Sequence, residues 1–135
     1  MTRSPSEQLV TRLNPVRLYI PLLVWLSVIF LLSTYSKAII PQGKYISWDK
    51  LAHVVEFGIL GYLAARTAYF KGSEWLRRNW FWVSVLFGIL YAASDELHQY
   101  FVPGRFASEF DVLADSVGAI VGVLVFGKVI TKKNK

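Results

Sequence analysis

Residues 18–36 read LYIPLLVWLSVIFLLSTYS, a run without a single charged side chain. Coiled as a helix at about 1.5 Å per residue, it matches the roughly 30 Å of a bilayer's hydrocarbon layer. Pro21 falls in its first turn on this reading, where a missing backbone donor costs least. A secretory leader is the alternative, but the run is longer than a usual leader core, lacks a clear small-x-small cleavage site and is followed by further apolar blocks. It is therefore expected to be the first of several membrane spans.

Upstream lies a polar, basic arm, residues 1–17, in which Ser4, Pro5, Asn14 and Pro15 argue against a continuous helix. Downstream, a connector with Pro41 and Gly43 leads to a second helix at about 49–70. The charged stretch 71–79 separates it from a third helix at 80–101, whose aromatic start suits a membrane interface. A turn with Pro103 and Gly104 precedes a fourth helix at about 110–130 and a basic tail, 131–135. The expected fold is all-α: a polytopic membrane protein with four transmembrane helices in one compact bundle, residues 18–130.

Composition agrees. Apolar residues make up 54% of the chain and charged ones 18%, and the apolar residues come in blocks rather than at the periods of a soluble core. With no cysteine, thiolate chemistry, thiolate metal sites and disulfides are excluded. The net charge of +6 does not mark a nucleic-acid partner, because the basic residues flank the apolar runs. Eleven of them (Arg3, Arg12, Arg17, Arg66, Lys71, Arg77, Arg78, Lys128, Lys132, Lys133, Lys135) would lie on one side and four (Lys37, Lys44, Lys50, Arg105) on the other. The positive-inside rule then puts both termini in the cytoplasm of a multi-pass cell-membrane protein.

That topology collects Asp49, Glu56, Asp95, Glu96, Glu109, Asp111 and Asp115 at the outer ends of the second, third and fourth helices, with His53 and His98. Only Glu7 and Glu74 lie elsewhere. Asp49, His53 and Glu56 stand at i, i+4 and i+7 and share a helix face, as do Asp111 and Asp115. The latter face continues through Gly118 and Gly122, a GxxxG step that lets another helix approach. On the third helix Asp95 and Gln99 share a face with Ser84, Gly88 and Tyr91, while Glu96 and His98 flare to either side. An ionised acid at a helix centre costs about 2.5–3.5 kcal/mol on insertion scales. Seven acids against four fixed cations leave a deficit to be met by protonated histidines, protonated carboxyls or a metal ion.

Each residue has a bland reading beside the functional one. Asp49 and Lys50 serve equally as an interfacial helix start, and Asp111 as a helix N-terminal acid. His53 and Glu56 lie deeper, where either a ligand role or a buried hydrogen-bonded clasp fits. Asp95, Glu96, His98 and Gln99 form a DELHQ run dense in acid, base and ligand groups, without the paired histidines of HExxH. Arg105, in a PGR turn, suits either an ordered loop or a gripped phosphate or carboxylate. Asp115, a turn deeper than Asp111, reads as functional.

Three ordered motifs, DKLAHVVEFGILGYL at 49–63, SDELHQYFVPGR at 94–105 and DVLADSVGAIVG at 111–122, closely resemble the VanZ-like family of bacterial membrane proteins. By position the resemblance picks out Asp49, Lys50, His53, Phe57, Glu96, Gln99, Pro103, Arg105, Asp111, Asp115 and Gly118. Position 115 in such proteins is Asp or Asn, and Phe106 stands where a small residue is common. The family's founding member is associated with resistance to the glycopeptide teicoplanin, so the resemblance implies a cell-envelope role.

Three functions follow as expectations. In the first, an outward polar pocket binds a lipid-linked cell-wall precursor, a phospholipid head group or a glycopeptide, with Lys50 and Arg105 meeting the anion and Asp49, Glu56, Asp95, His98 and Gln99 around it. In the second, a membrane-embedded enzyme uses His53, Glu96, Asp111 and Asp115 as acid and base, or His53, Glu96 and Asp111 to hold a divalent cation. The third is a small transporter, which four helices could build only as a homodimer.

Overall fold

The computed structural model of the protein describes residues 14–34, 48–105 and 107–133, with the backbone alone at 48 and 49. Most of the expected N-terminal arm, the connector with Lys37 and Lys44, the side chain of Asp49, Phe106 and the last tail residues lie outside the described residues. Five helices and no strand occur among them: α1 (Pro15–Thr34), α2 (Trp48–Lys71), α3 (Glu74–Arg78), α4 (Trp80–Phe101) and α5 (Glu109–Lys133).

The first helix begins earlier than the sequence suggested. Asn14 accepts the Val16 N–H on its side chain at 3.0 Å, and its carbonyl accepts from Arg17 at 3.0 Å. Pro15 thus occupies the first helical position, where its fixed φ and missing N–H are harmless, rather than breaking the chain. Pro21 in consequence lies inside the helix, beyond its first turn. The charged stretch between α2 and α4 is not loop but the short α3. Ser73 caps α3 by accepting from Leu76, and Arg78 reaches back to Glu74 at 2.7 Å on a largely exposed surface. At such exposure that ion pair contributes about 1 kcal/mol at most.

α2 is the hub, packing on α1, α4 and α5, with its longest interface against α5. That interface is built from glycine. A Cβ on Gly118 would overlap the Val54 carbonyl, one on Gly122 the Gly58 carbonyl and one on Gly61 the Ala119 carbonyl. The GxxxG face of α5 is therefore its packed face, as the spacing predicts, with Asp111, Asp115, Gly118, Ala119 and Gly122 all buried. Close backbone approach of this kind lets dispersion between the touching helices hold them together.

Two apolar clusters fill the bundle. One surrounds Leu18, Ala65, Phe70, Val123 and Phe126, where the Phe126 ring lies 5.4 to 6.2 Å from those of Trp80, Tyr62, Tyr69 and Phe70. The other joins Ile29, Phe57, Leu60 and Ala92. The perimeter is apolar as well: Leu23 and Leu31 on α1, Val55 on α2, Leu86, Leu90 and Leu97 on α4 and Leu113, Val117 and Val121 on α5 are all exposed. Meanwhile Asp95, Glu96, Gln99, Asp111 and Asp115 are no more than 7% exposed, an inversion of the ordinary soluble pattern.

By length and apolar composition alone, α1 and α5 suffice to cross a membrane. α2 and α4 are long enough but less apolar, because α2 carries Lys50, His53, Glu56 and Arg66 and α4 carries the DELHQ run besides its tryptophans and tyrosines.

Candidate functional site

The polar side chains meet at one end of the bundle, where α1 and α4 finish and α2 and α5 begin. They form two linked groups rather than a single ring.

The first group clasps α2 to α5. Lys50 pairs with Asp111, and one turn deeper His53 Nδ1 lies 2.8 Å from Asp115 Oδ1. The i, i+4 spacing of Asp111 and Asp115 against the three-residue step from Lys50 to His53 places the pairs one above the other. Both aspartates are wholly buried. Asp111 is therefore not a helix cap: its N–H bonds to Ser108 and its carboxylate to α2.

The second group ties α4 to α1. Asp95 accepts from the Ser33 hydroxyl and, at 2.8 Å, from the Gln99 amide one turn on. Arg105 reaches back over the end of α1, donating from Nε to the Ser33 carbonyl at 3.0 Å and from Nη2 to the Leu32 carbonyl at 2.7 Å. A helix's last carbonyls lack partners of their own, and a guanidinium supplies two donors at fixed spacing. His98 flares outward, its Nε2 3.1 Å from the Thr34 hydroxyl and its ring 4.6 Å from Phe30. Glu96 flares the other way and accepts from the Ser108 N–H just ahead of α5.

Glu56 stands between the groups, within electrostatic reach of His53, Asp95, Asp115 and Arg105. It also lines a cleft of about 400 Å³ between α1 and α2, whose other walls include Trp25, Leu32, Leu51, Val55 and Ile59. The Trp25 indole donates to the Glu56 backbone carbonyl at 2.9 Å, and the Tyr91 hydroxyl to that of Leu26 at 2.9 Å.

Sequence reasoning missed the part played by α1. Ser33 is 4% exposed and lies on the face that also buries Leu18 and Ile29, so its hydroxyl follows the packed stripe into the bundle. That periodicity was the available signal; the partner was not. The two cations assigned to an anionic ligand, Lys50 and Arg105, are engaged by Asp111 and by α1 carbonyls. His53, Glu96 and Asp111 go to three different partners, and among the described residues no three His, Asp or Glu side chains gather at metal-binding distance. What is left over is acceptor capacity. Glu96 Oε2, Gln99 Oε1, Asp111 Oδ2 and Asp115 Oδ2 are buried without a hydrogen-bond partner among the described residues.

Replacing Arg105 by Lys or Ala is expected to loosen the last turn of α1, because lysine cannot present two donors at that spacing. Amide exchange over residues 30–34 should accelerate about tenfold or more, the effect of losing a charge-assisted hydrogen bond of roughly 1.5–3 kcal/mol. Unchanged exchange there would remove Arg105 from this role.

An all-helical chain with membrane-length apolar helices, an apolar perimeter and a buried polar end is a small membrane-associated helical protein. The model of the VanZ/LLP1 family matches residues 3–130, and the chain belongs to that family. Neither a curated protein nor a solved structure matches it.

Proposed function

We propose that this VanZ-like protein spans the membrane four times and acts at the cell envelope by binding an amphiphile through hydrogen-bond donors. The ligand's head offers hydroxyl or ammonium groups, as the sugar or amine portion of a lipid-linked precursor or glycopeptide does. The observation that carries this reading is that four buried acceptor oxygens have no donor among the described residues, while Lys50 and Arg105 are already engaged. An unpaired buried acceptor costs about 1–3 kcal/mol, so a donor-bearing head gains by filling the site and a phosphate does not. The α1–α2 cleft gives its tail an apolar wall leading to Glu56. Support for four spans comes from the exposed Leu51, Val55 and Ile59 of α2 and Leu86, Leu90 and Leu97 of α4, beside the exposed apolar residues of α1 and α5.

The test titrates the purified full chain with an alkyl glycoside, an alkylammonium and an alkyl phosphate of equal chain length. The signal is the part of the tryptophan fluorescence lost in Trp25→Phe. Glycoside or ammonium should bind at least about tenfold tighter than phosphate, one charge-assisted hydrogen bond's worth. Glu56→Gln should lose the ammonium preference. Tighter binding of the phosphate sinks the proposal. A contribution to teicoplanin resistance rests on family membership alone. Cells expressing the protein should tolerate more teicoplanin than cells expressing Asp111→Ala, and equal susceptibility removes that link.

A catalytic reading has one observation in its favour, the His53–Asp115 pair at 2.8 Å. A carboxylate that fixes an imidazole's tautomer is how general bases are oriented. Turnover of a lipid-linked ester or phosphate that vanishes in His53→Gln and is weakened in Asp115→Asn would favour it over binding alone.

A further inference from the structure

At the opposite end of the bundle a second feature lies apart from the acid cluster. A groove of about 730 Å³, within the roughly 300–1,000 Å³ typical of small-molecule sites, runs between the start of α4 and the last turns of α5. Its floor exists because Gly127 has no side chain: a Cβ there would stand 3.3 Å from the Trp80 ring. That ring is held edge-on by Tyr69, Phe81 and Phe126 at 5.4 to 6.1 Å, so the floor is rigid. The walls are apolar, including Leu124, Val125 and Val129, and the rim carries Lys128 and Lys132, one turn apart and both exposed.

Charge at this end is one-sided. Lys71, Arg77, Arg78, Lys132 and Lys133 end their helices here, and among the described acids only Glu74 accompanies them. The groove therefore joins a hydrocarbon slot to a pair of ammonium groups at the depth where the helices leave the apolar layer. An acyl chain beneath a phosphate matches both halves, whereas a second copy of this chain, as basic at that end, matches only the slot. The glycine face of α5 that would favour helix pairing is already occupied by α2.

We propose that the groove between α4 and α5 binds an anionic phospholipid, one acyl chain lying on Trp80 and Gly127 and the phosphate between Lys128 and Lys132. The site rests on the membrane-spanning reading of α4 and α5 but not on the ligand assigned to the acid cluster. Interfacial lysines attract anionic head groups with a force that salt screens, so selectivity should weaken as ionic strength rises.

The experiment places the full chain in detergent micelles and adds phosphatidylglycerol or phosphatidylcholine with brominated acyl chains, which quench tryptophan on contact. The readout is the quenching lost in Trp80→Phe, which separates this site from the Trp25 cleft. Phosphatidylglycerol is expected to quench Trp80 at about a tenfold lower mole fraction than phosphatidylcholine, as two nearby lysines warrant. The exposed double variant Lys128→Gln/Lys132→Gln should quench equally with both lipids while keeping the wild-type helical circular dichroism. Equal quenching by the two lipids in the wild-type chain overturns the proposal. So does a selectivity that survives in the double variant, or protection of Trp80 by self-association of the chain.

Discussion

Gly122→Ala is expected to destabilise the bundle by about 3 kcal/mol or more, while Gly58→Ala, its partner across the same interface, leaves stability at or slightly above that of the wild type. The two substitutions add the same methyl group to helices that touch. At Gly122 that carbon would overlap the Gly58 carbonyl and crowd the Tyr62 nitrogen at 2.9 Å, and neither backbone atom can swing aside. At Gly58 it would stand 3.5 Å from the Gly118 carbonyl, an ordinary contact, while alanine's better helix propensity contributes up to about 1 kcal/mol. Making room for a methyl group at position 122 means parting α2 from α5, and that pulls on Lys50–Asp111 and His53–Asp115 higher on the same pair of helices. The loss should therefore appear in thermal unfolding in micelles and in any assay of the polar end. Equal stability of the two variants would show that the interface is looser than a glycine-to-carbonyl contact.

That interface was legible in the sequence because it follows from spacing alone. GxxxG repeats on the face that carries Asp111 and Asp115, so a close approach could be placed on the acid face before any partner was known. The extent of α4, residues 80–101, was legible for a similar reason, since the charged stretch ending at Asn79 and the turn at Pro103 bracket it. What could not be read were the pairings between distant residues. Arg105 and Ser33 are 72 positions apart, and nothing in either local sequence says that the guanidinium finishes another helix. The same ignorance made Lys50 and Arg105 look available to an anion. Pro15 misled differently: proline breaks a helix interior but suits its first position, and only the Asn14 hydrogen bonds distinguish the two. Of the four spans expected, length and apolar composition alone support α1 and α5, because α2 and α4 carry the ionisable groups that lower their apolarity. Their exposed faces, which carry the case for spanning, emerge only when the fold shows which side each residue takes.

Lys50→Met is expected to cost about 3 kcal/mol, and the second substitution Asp111→Asn should restore part of that loss. Lys50 is one-third exposed in its side chain, whereas Asp111 is wholly buried, so the partners do not suffer equally when separated. Deleting the lysine leaves a carboxylate in the α2–α5 interface with no countercharge, a situation that costs roughly 3–5 kcal/mol when a buried pair is broken from one side. Deleting the carboxylate charge instead leaves an ammonium that can turn to water or lipid head groups, and Asp111→Asn alone should cost only about 1–2 kcal/mol. In the double variant no charge is stranded, so it should be more stable than Lys50→Met by at least about 1 kcal/mol, a clear departure from additivity. Thermal unfolding of the four chains in one detergent closes the cycle. Additive losses would mean that Lys50 and Asp111 do not depend on each other, and the clasp would reduce to the His53–Asp115 pair. The non-additive result also bears on function. A lysine tied to the fold in this way cannot turn to an anionic head group without losing about as much stability as the new contact provides, so the proposed preference for a donor-bearing ligand rests on the acceptors left without a partner among the described residues.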